Sequence, residues 1–404
     1  MKKLLFSVVL FTVSFVAAVA QESKVKEAKS IADAGKDFAQ AEKLIDEAMQ
    51  SPETKDDANT WNVAGAIQKL INEKENKSMF LKQPYDTLKL YGSIYKMFDY
   101  YFKCDELAQK PDEKGKIKNK FRKANAETLK GDRGNLINGG INFYNENKNE
   151  EAYKYFSMYI ESAKHPMFEK ENFMKTDTLL SQVAYYACLV ASRMNDNNKI
   201  LKYASIAATD KEYGKYGKEF EASAYKALGD TVKWVASLKE GIDKFPDDQY
   251  FFGNLIDYYS NSKKNDEAMK FADEMIAKDP NKPFNSFVKG YLYQNVKDWD
   301  NAIEAYKKAI SLDSKYAQAY SNLGLTYCQR AIDFGEKACT DLNNPQYKKD
   351  QETLKGFYQA ALPFYVKARE LKSDDKSLWL NGLYTIYYKL NMEKEFKEME
   401  ALMK

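Results

Sequence analysis

Apolar residues in this chain recur at three- and four-residue spacing, and no convincing alternating runs of the strand type interrupt them. Only 18 Gly and 9 Pro punctuate 404 residues, so the pattern predicts an all-α chain built as an array of helices. The clearest register starts at Pro283. Gly290 and Tyr293 then fall on a first helix, and Ala302, Tyr306 and Ala309 on a second. A shift forward by 34 residues meets Tyr320, Leu323, Gly324 and Tyr327; a shift back by 34 meets Phe252, Leu255, Tyr259 and Ala268, and then Pro280. Small residues at the Gly and Ala positions let two helices of a hairpin approach closely, and large rings fill the space between successive hairpins. One hairpin cannot bury its apolar face alone, so the units must stack and share a core.

These residues resemble the tetratricopeptide-repeat (TPR) family, whose 34-residue pattern is W-x2-L-G-x2-Y, then A-x3-F-x2-A, then P. Tyr320-x2-Leu323-Gly324-x2-Tyr327 is a near-complete first half, with Tyr for Trp. Ala302-x3-Tyr306-x2-Ala309 and Ala361-x3-Tyr365-x2-Ala368 are near-complete second halves, and Trp61-x2-Ala64-Gly65 repeats the opening near the N-terminus. The turns NENKNEEA, NSKKNDEA and NVKDWDNA end at Ala152, Ala268 and Ala302, and Gly229-Asp230 falls at the family's Gly-Asp turn. The resemblance implies an α-α superhelix, a TPR solenoid of about seven to eight helical hairpins.

The units follow from the register. Residues 21–132 are expected to form degenerate hairpins, with Met79 to Pro84 in the loop of a long one at 58–110. The solenoid proper is placed at 133–375 and closing helices at 376–404. Trp234 stands where a small residue belongs. Residues 330–358 lie outside the period, so a short polar turn is expected to replace them without harm.

The first twenty residues change the picture of where the chain works. Lys2 and Lys3 precede an apolar run from Leu4 to Ala18, and Ala18-Val19-Ala20 offers small residues before Gln21. That is the layout of a cleavable signal peptide at 1–20, too short to span a bilayer comfortably. The expected location is periplasmic or secreted. The first cysteine is Cys104, so a lipoprotein anchor is not expected.

The whole chain carries 62 basic and 59 acidic residues, and losing Lys2 and Lys3 leaves 60 against 59. Such a balance argues against a nucleic-acid partner. Lys110 to Lys123 is locally basic but is broken by Asp112, Glu113 and Gly115, and is read as a solvated connector. Four cysteines do not make a disulfide scaffold; buried free thiols are expected. With His165 the only histidine, and with no Walker A loop, G-x-S-x-G, H-E-x-x-H or C-x-x-C, no enzyme, metal or cofactor is expected.

The resemblance implies that first helices turn ligand-contacting side chains toward a concave face, at repeat positions 2, 5, 9, 12 and 13. Those positions supply Tyr250, Asp257 and Asn261; Phe284, Phe287, Tyr291, Gln294 and Asn295; Gln318 and Gln329. Rings with amides can hold an extended peptide by stacking and main-chain hydrogen bonds. Asn261 and Asn295 could equally satisfy carbonyls in the last helical turn. The Lys/Asn carboxylate clamp of the family's chaperone-binding members is missing: Ile137, Gly253, Phe287 and Ser321 occupy one of its positions, and Ile141, Asp257, Tyr291 and Leu325 the other. The strip carries no basic cluster, so the expected partner is a protein or peptide of neutral or basic character. The alternative is a glycan or small molecule stacked on exposed rings.

Overall fold

A computed structural model describes residues 20–111, 114–246 and 248–403. The signal-peptide reading falls almost wholly outside these residues. Every regular element among them is helical. The chain divides into two compact units, residues 1–237 and 238–404.

In the first unit, a helix over 20–33 (α1) is followed by α2 (Phe38–Gln50), α3 (Ala58–Phe80), α4 (Thr87–Ala108), α5 (Arg122–Asp132), α6 (Gly134–Asn145) and α7 (Asn149–Ser162). Then come a single turn α8 (Phe173–Thr176), α9 (Leu180–Arg193), α10 (Asn197–Ala207) and α11 (Gly214–Ala227). Helix α12 (Thr231–Lys244) contains the division. The second unit continues with α13 (Gln249–Asn261), α14 (Asn265–Lys278), α15 (Pro283–Asn295), α16 (Trp299–Leu312), α17 (Ala317–Gly335), α18 (Pro345–Leu371), α19 (Leu380–Lys389) and α20 (Glu393–Met403). The described residues hold nine helical hairpins in series; the closing pair α19–α20, expected as capping helices, is the ninth.

One backbone device closes hairpin after hairpin. The first helix ends in a left-handed residue, and the next N–H reaches back to the carbonyl five residues earlier, as in a Schellman cap. Asn195, Gly229, Lys263 and Lys297 are those residues, 34 apart, and the bonds are Asp196 to Ala191 (3.0 Å), Asp230 to Tyr225 (3.0 Å), Lys264 to Tyr259 (2.8 Å) and Asp298 to Tyr293 (2.9 Å). Asn147 and Asn391 do the same elsewhere. The 34-residue period is thus written in the backbone from Asn195 to Lys297.

Inside the hairpins, glycine meets ring. A Cβ at Gly290 would lie 2.8 Å from Tyr306, and one at Gly324 would lie 2.6 Å from Tyr365. Gly65 faces Tyr101 and Gly140 faces Phe156 in the same way. Gly140 and Phe156 are 16 residues apart, like Gly290 and Tyr306, whereas Gly324 and Tyr365 are 41 apart. The extra length extends α17 and α18, and its base is core: Ala331 is fully buried and Tyr358 nearly so. Arg330 pairs with Asp300 at 2.8 Å, and Asp333 accepts from Lys297 and from the Trp299 indole. Replacing all of 330–358 would therefore open the unit. Only the outer part, where Leu342 is largely exposed, is separable.

The first unit is pinned by a charge that the repeat pattern does not announce. Arg133, between α5 and α6, is only 5% exposed. It donates to Ser162 Oγ at 2.8 Å and to the Tyr159 carbonyl at 3.0 Å, and it pairs with Asp177, whose side chain is 8% exposed. The Tyr159 hydroxyl donates to the same carboxylate at 2.7 Å, and the guanidinium lies 3.8 Å from the Tyr159 ring centroid. Nearby, His165 stacks on Phe102 at 3.9 Å and accepts the Met167 N–H at Nδ1, 3.2 Å away. Burial holds its pKa below the ordinary value. Cys104, Cys188 and Cys328 are free and buried, and burial pushes each thiol up to about 12; Cys339, also free, is partly exposed.

Candidate functional site

Three first helices of the second unit, α13, α15 and α17, present side chains to one open cavity of about 650 Å³. Asp248 caps α13 by accepting the Tyr250 N–H at 2.9 Å, and Pro283 opens α15 where its missing N–H costs nothing. These starts fix which faces turn inward. Phe252, Gly253, Ile256 and Asp257 come from α13; Phe284, Phe287 and Tyr291 from α15; Gln318 and Asn322 from α17.

The rings meet edge to face. Phe252 lies 5.7 Å from Phe284 at 76° and 5.5 Å from Tyr291 at 73°. Such contacts lock the wall, since each ring edge meets a neighbour's face. Gly253 leaves a gap: a Cβ there would meet nothing within 4 Å. A helical glycine with no packing reason costs stability, and here the space it vacates belongs to the cavity.

The expected site residues separate into groups. Asp257, Phe284, Phe287, Tyr291 and Gln318 line the cavity together. Phe287 does so from the core side: it is 8% exposed and packs on Tyr306 at 5.6 Å and Tyr316 at 5.3 Å. It is a buried wall, not a free ring, so its removal would cost fold as well as ligand.

Gln294, Asn295 and Gln329 border a second, smaller hollow of about 330 Å³ with Trp299 and Asp333. Gln294 is buried and already engaged. It donates to Gln329 Oε1 at 2.8 Å, and its own Oε1 accepts the Tyr306 hydroxyl at 2.7 Å. Desolvation raises the Tyr306 pKa far above the ordinary value, so the phenol stays a donor. Tyr250 packs edge-on against Phe251 at 5.3 Å, and Asn261 is exposed at the end of α13; neither lines either hollow.

Loops supply what helix positions could not show. Lys282, Asp313, Lys315 and Tyr316 reach the cavity from the segments before α15 and α17, and Leu378 reaches it from the turn before α19, tied by Ser321 Oγ to its carbonyl at 2.6 Å. The two lysines come from these loops and not from the helix positions of the strip, which carry no basic cluster. They are set against three lining carboxylates, Asp248, Asp257 and Asp313. Asp248 and Asp313 accept backbone N–H groups, whereas Asp257 is exposed and among the described residues no ion pair holds it. The only sequence signal for the loop residues is their place just before each first helix. Among the described residues, no cluster of three or more His, Cys, Asp or Glu could hold a metal ion.

Residues 290–329, within this unit, match the family model of the TPR repeat. That segment carries the TPR repeat. Among solved structures the chain is similar to a TPR repeats protein of Bacteroides fragilis, at 17% identity over 67% of this chain and 99% of that one, TM-score 0.33. It is also similar to the TPR2AB domain of yeast Sti1, solved as a complex with pHSP90, at 15% identity over 81% and 99%, TM-score 0.25. Yeast Tom70 is 11% identical over 96% and 94%, TM-score 0.26. No curated protein matches the chain.

Proposed function

We propose that this protein is an exported scaffold that binds an extended segment of a protein partner in the cavity of its second unit. It performs no chemistry on that partner. The observation that carries the reading is the cavity itself: rings, amides and one unpaired carboxylate, drawn from three consecutive first helices of a fold whose repeats bind proteins. The pocket formed by Phe252, Phe284 and Tyr291 suits an apolar or aromatic side chain of the ligand, and Asp257 suits a basic one beside it. Gln318 can meet the ligand main chain from the opposite wall. Rings set edge to face favour a peptide side chain over a glycan, which needs a flat, exposed ring face. The favoured ligand is therefore a neutral to basic peptide.

Gly253 provides a test that leaves the fold alone. Leucine there projects into open space and improves helix propensity by about 0.8–1 kcal/mol, yet it fills the cavity. Peptides selected from a phage-displayed library on the full chain should combine an aromatic or aliphatic residue with a nearby Lys or Arg. Gly253→Leu should weaken them at least about tenfold, and Lys308→Ala, on the exposed face of α16, should not. Equal affinity for Gly253→Leu and the parent would remove the cavity as the site.

Export rests on the leader pattern at 1–20. Intact-mass measurement of the protein expressed with its own N-terminus should give a chain beginning at Gln21; a mature protein retaining Lys2 and Lys3 would rule the export reading out.

A further inference from the structure

The tip of the α3–α4 hairpin differs in kind from the other turns. Asn72 and Leu90 are the last buried pair, joined by Asn72 Nδ2 donating to the Leu90 carbonyl at 2.8 Å. None of residues 73–89 beyond them is buried. The turns at 145–149 and 261–265 consist wholly of Asn, Lys, Glu and Ser. This tip instead exposes Phe80 by 86%, Leu88 by 62%, Leu81 by 51%, Tyr85 by 43% and Met79 by 39%. An apolar cluster of that kind in water marks a contact surface.

Three features choose the occupant. The exposed apolar side chains form a knob within one ten-residue tip, 79–88, against the roughly 20–30 residues a side of a standard protein interface. Lys77 and Lys82 flank it, and among the described residues no ion pair neutralises either. Finally, most of the knob's N–H groups are paired before anything binds. Leu81, Lys82 and Gln83 donate to Lys77, Met79 and Ser78 carbonyls at 2.8–3.0 Å, Glu75 accepts the Asp86 N–H at 2.8 Å, and Asp86 caps Leu88 and Lys89. Pro84 has no N–H to satisfy. A loop can enter an apolar phase cheaply only when its peptide groups are already paired.

We propose that this tip is a foot that rests on a lipid surface. Phe80, Leu81 and Leu88 enter the boundary between headgroups and acyl chains, Tyr85 sits at headgroup level, and Lys77 and Lys82 meet lipid phosphates. Among the described residues no helix is long and apolar enough to cross a membrane, so the attachment is peripheral and reversible. It is independent of the peptide cavity.

Flotation of the full chain with vesicles tests it, using phosphatidylcholine alone and phosphatidylcholine mixed with phosphatidylglycerol. The parent protein should float with the mixed vesicles. The triple change Phe80→Ser, Leu81→Ser and Leu88→Ser should lower partitioning at least about tenfold with the thermal unfolding curve unchanged, since all three side chains are exposed. Lys77→Gln with Lys82→Gln should weaken binding to the mixed vesicles and flatten its salt dependence. Phe80→Trp should add blue-shifted emission when vesicles are present. A parent that ignores both vesicle types, or a triple variant that floats as well as the parent, would overturn the proposal. So would self-association of the parent that the triple variant loses while vesicles have no effect, which would assign the knob to a second copy of the chain.

Discussion

Arg133→Met should destabilise the first unit by about 3–5 kcal/mol, the cost of leaving a buried carboxylate without its partner. Asp177 would keep the Tyr159 hydroxyl and the Leu179 N–H but no cation, and the Tyr159 carbonyl and Ser162 hydroxyl would lose their shared donor. Arg133→Lys should recover little, because one ammonium cannot reproduce a planar fork that serves three acceptors at once. The double change Arg133→Met with Asp177→Leu should recover a good part of the loss, since it removes the stranded charge. Amide hydrogen exchange of α6 to α9 gives the reading for this unit alone, which matters because two compact units need not unfold as one transition. Single and double variants with equal protection would mean that the ion pair carries no buried charge.

The second large effect concerns two glycines on first helices of the second unit, α13 and α17, that should respond with opposite signs. Gly324→Leu places a side chain where even a Cβ comes within 2.6 Å of the Tyr365 ring, a ring that also packs directly on Gly382. Tyr365 cannot retreat, so the expected cost is about 1–3 kcal/mol from overpacking. Gly253→Ala, in open space on α13, should instead gain about 0.8–1 kcal/mol from helix propensity. Denaturant unfolding followed in the second unit distinguishes them. If both glycines behaved alike, the pairing of Gly324 with Tyr365 would be wrong.

That contrast shows where the sequence was readable. Gly290, Tyr306, Gly324 and Tyr365 recur because every hairpin needs the same close approach, and a need repeated every 34 residues leaves a visible trace. Part of the candidate strip comes together: Asp257, Phe284, Tyr291 and Gln318 line one cavity, because helix position alone sets the direction of each side chain. Phe287 shares that direction but is closed over by Tyr306 and Tyr316, and burial of that sort depends on neighbours that a position rule does not see. Lys282, Lys315 and Leu378 were out of reach for another reason: loops follow no period, and Leu378 arrives from a segment 57 residues beyond its anchor Ser321. Arg133 and Asp177 form a single, unrepeated contact 44 residues apart, and nothing periodic marks them.

Three thiols sealed in the cores and one near the surface make the protein its own clock. A maleimide should take Cys339 within the time of mixing, because only there does the sulfur meet solvent without any opening. Cys104 and Cys188 can react only when the first unit breathes, and Cys328 only when the second does, so each labelling rate counts the openings of its own surroundings. The slow phases would then report, residue by residue, which half of the chain yields first.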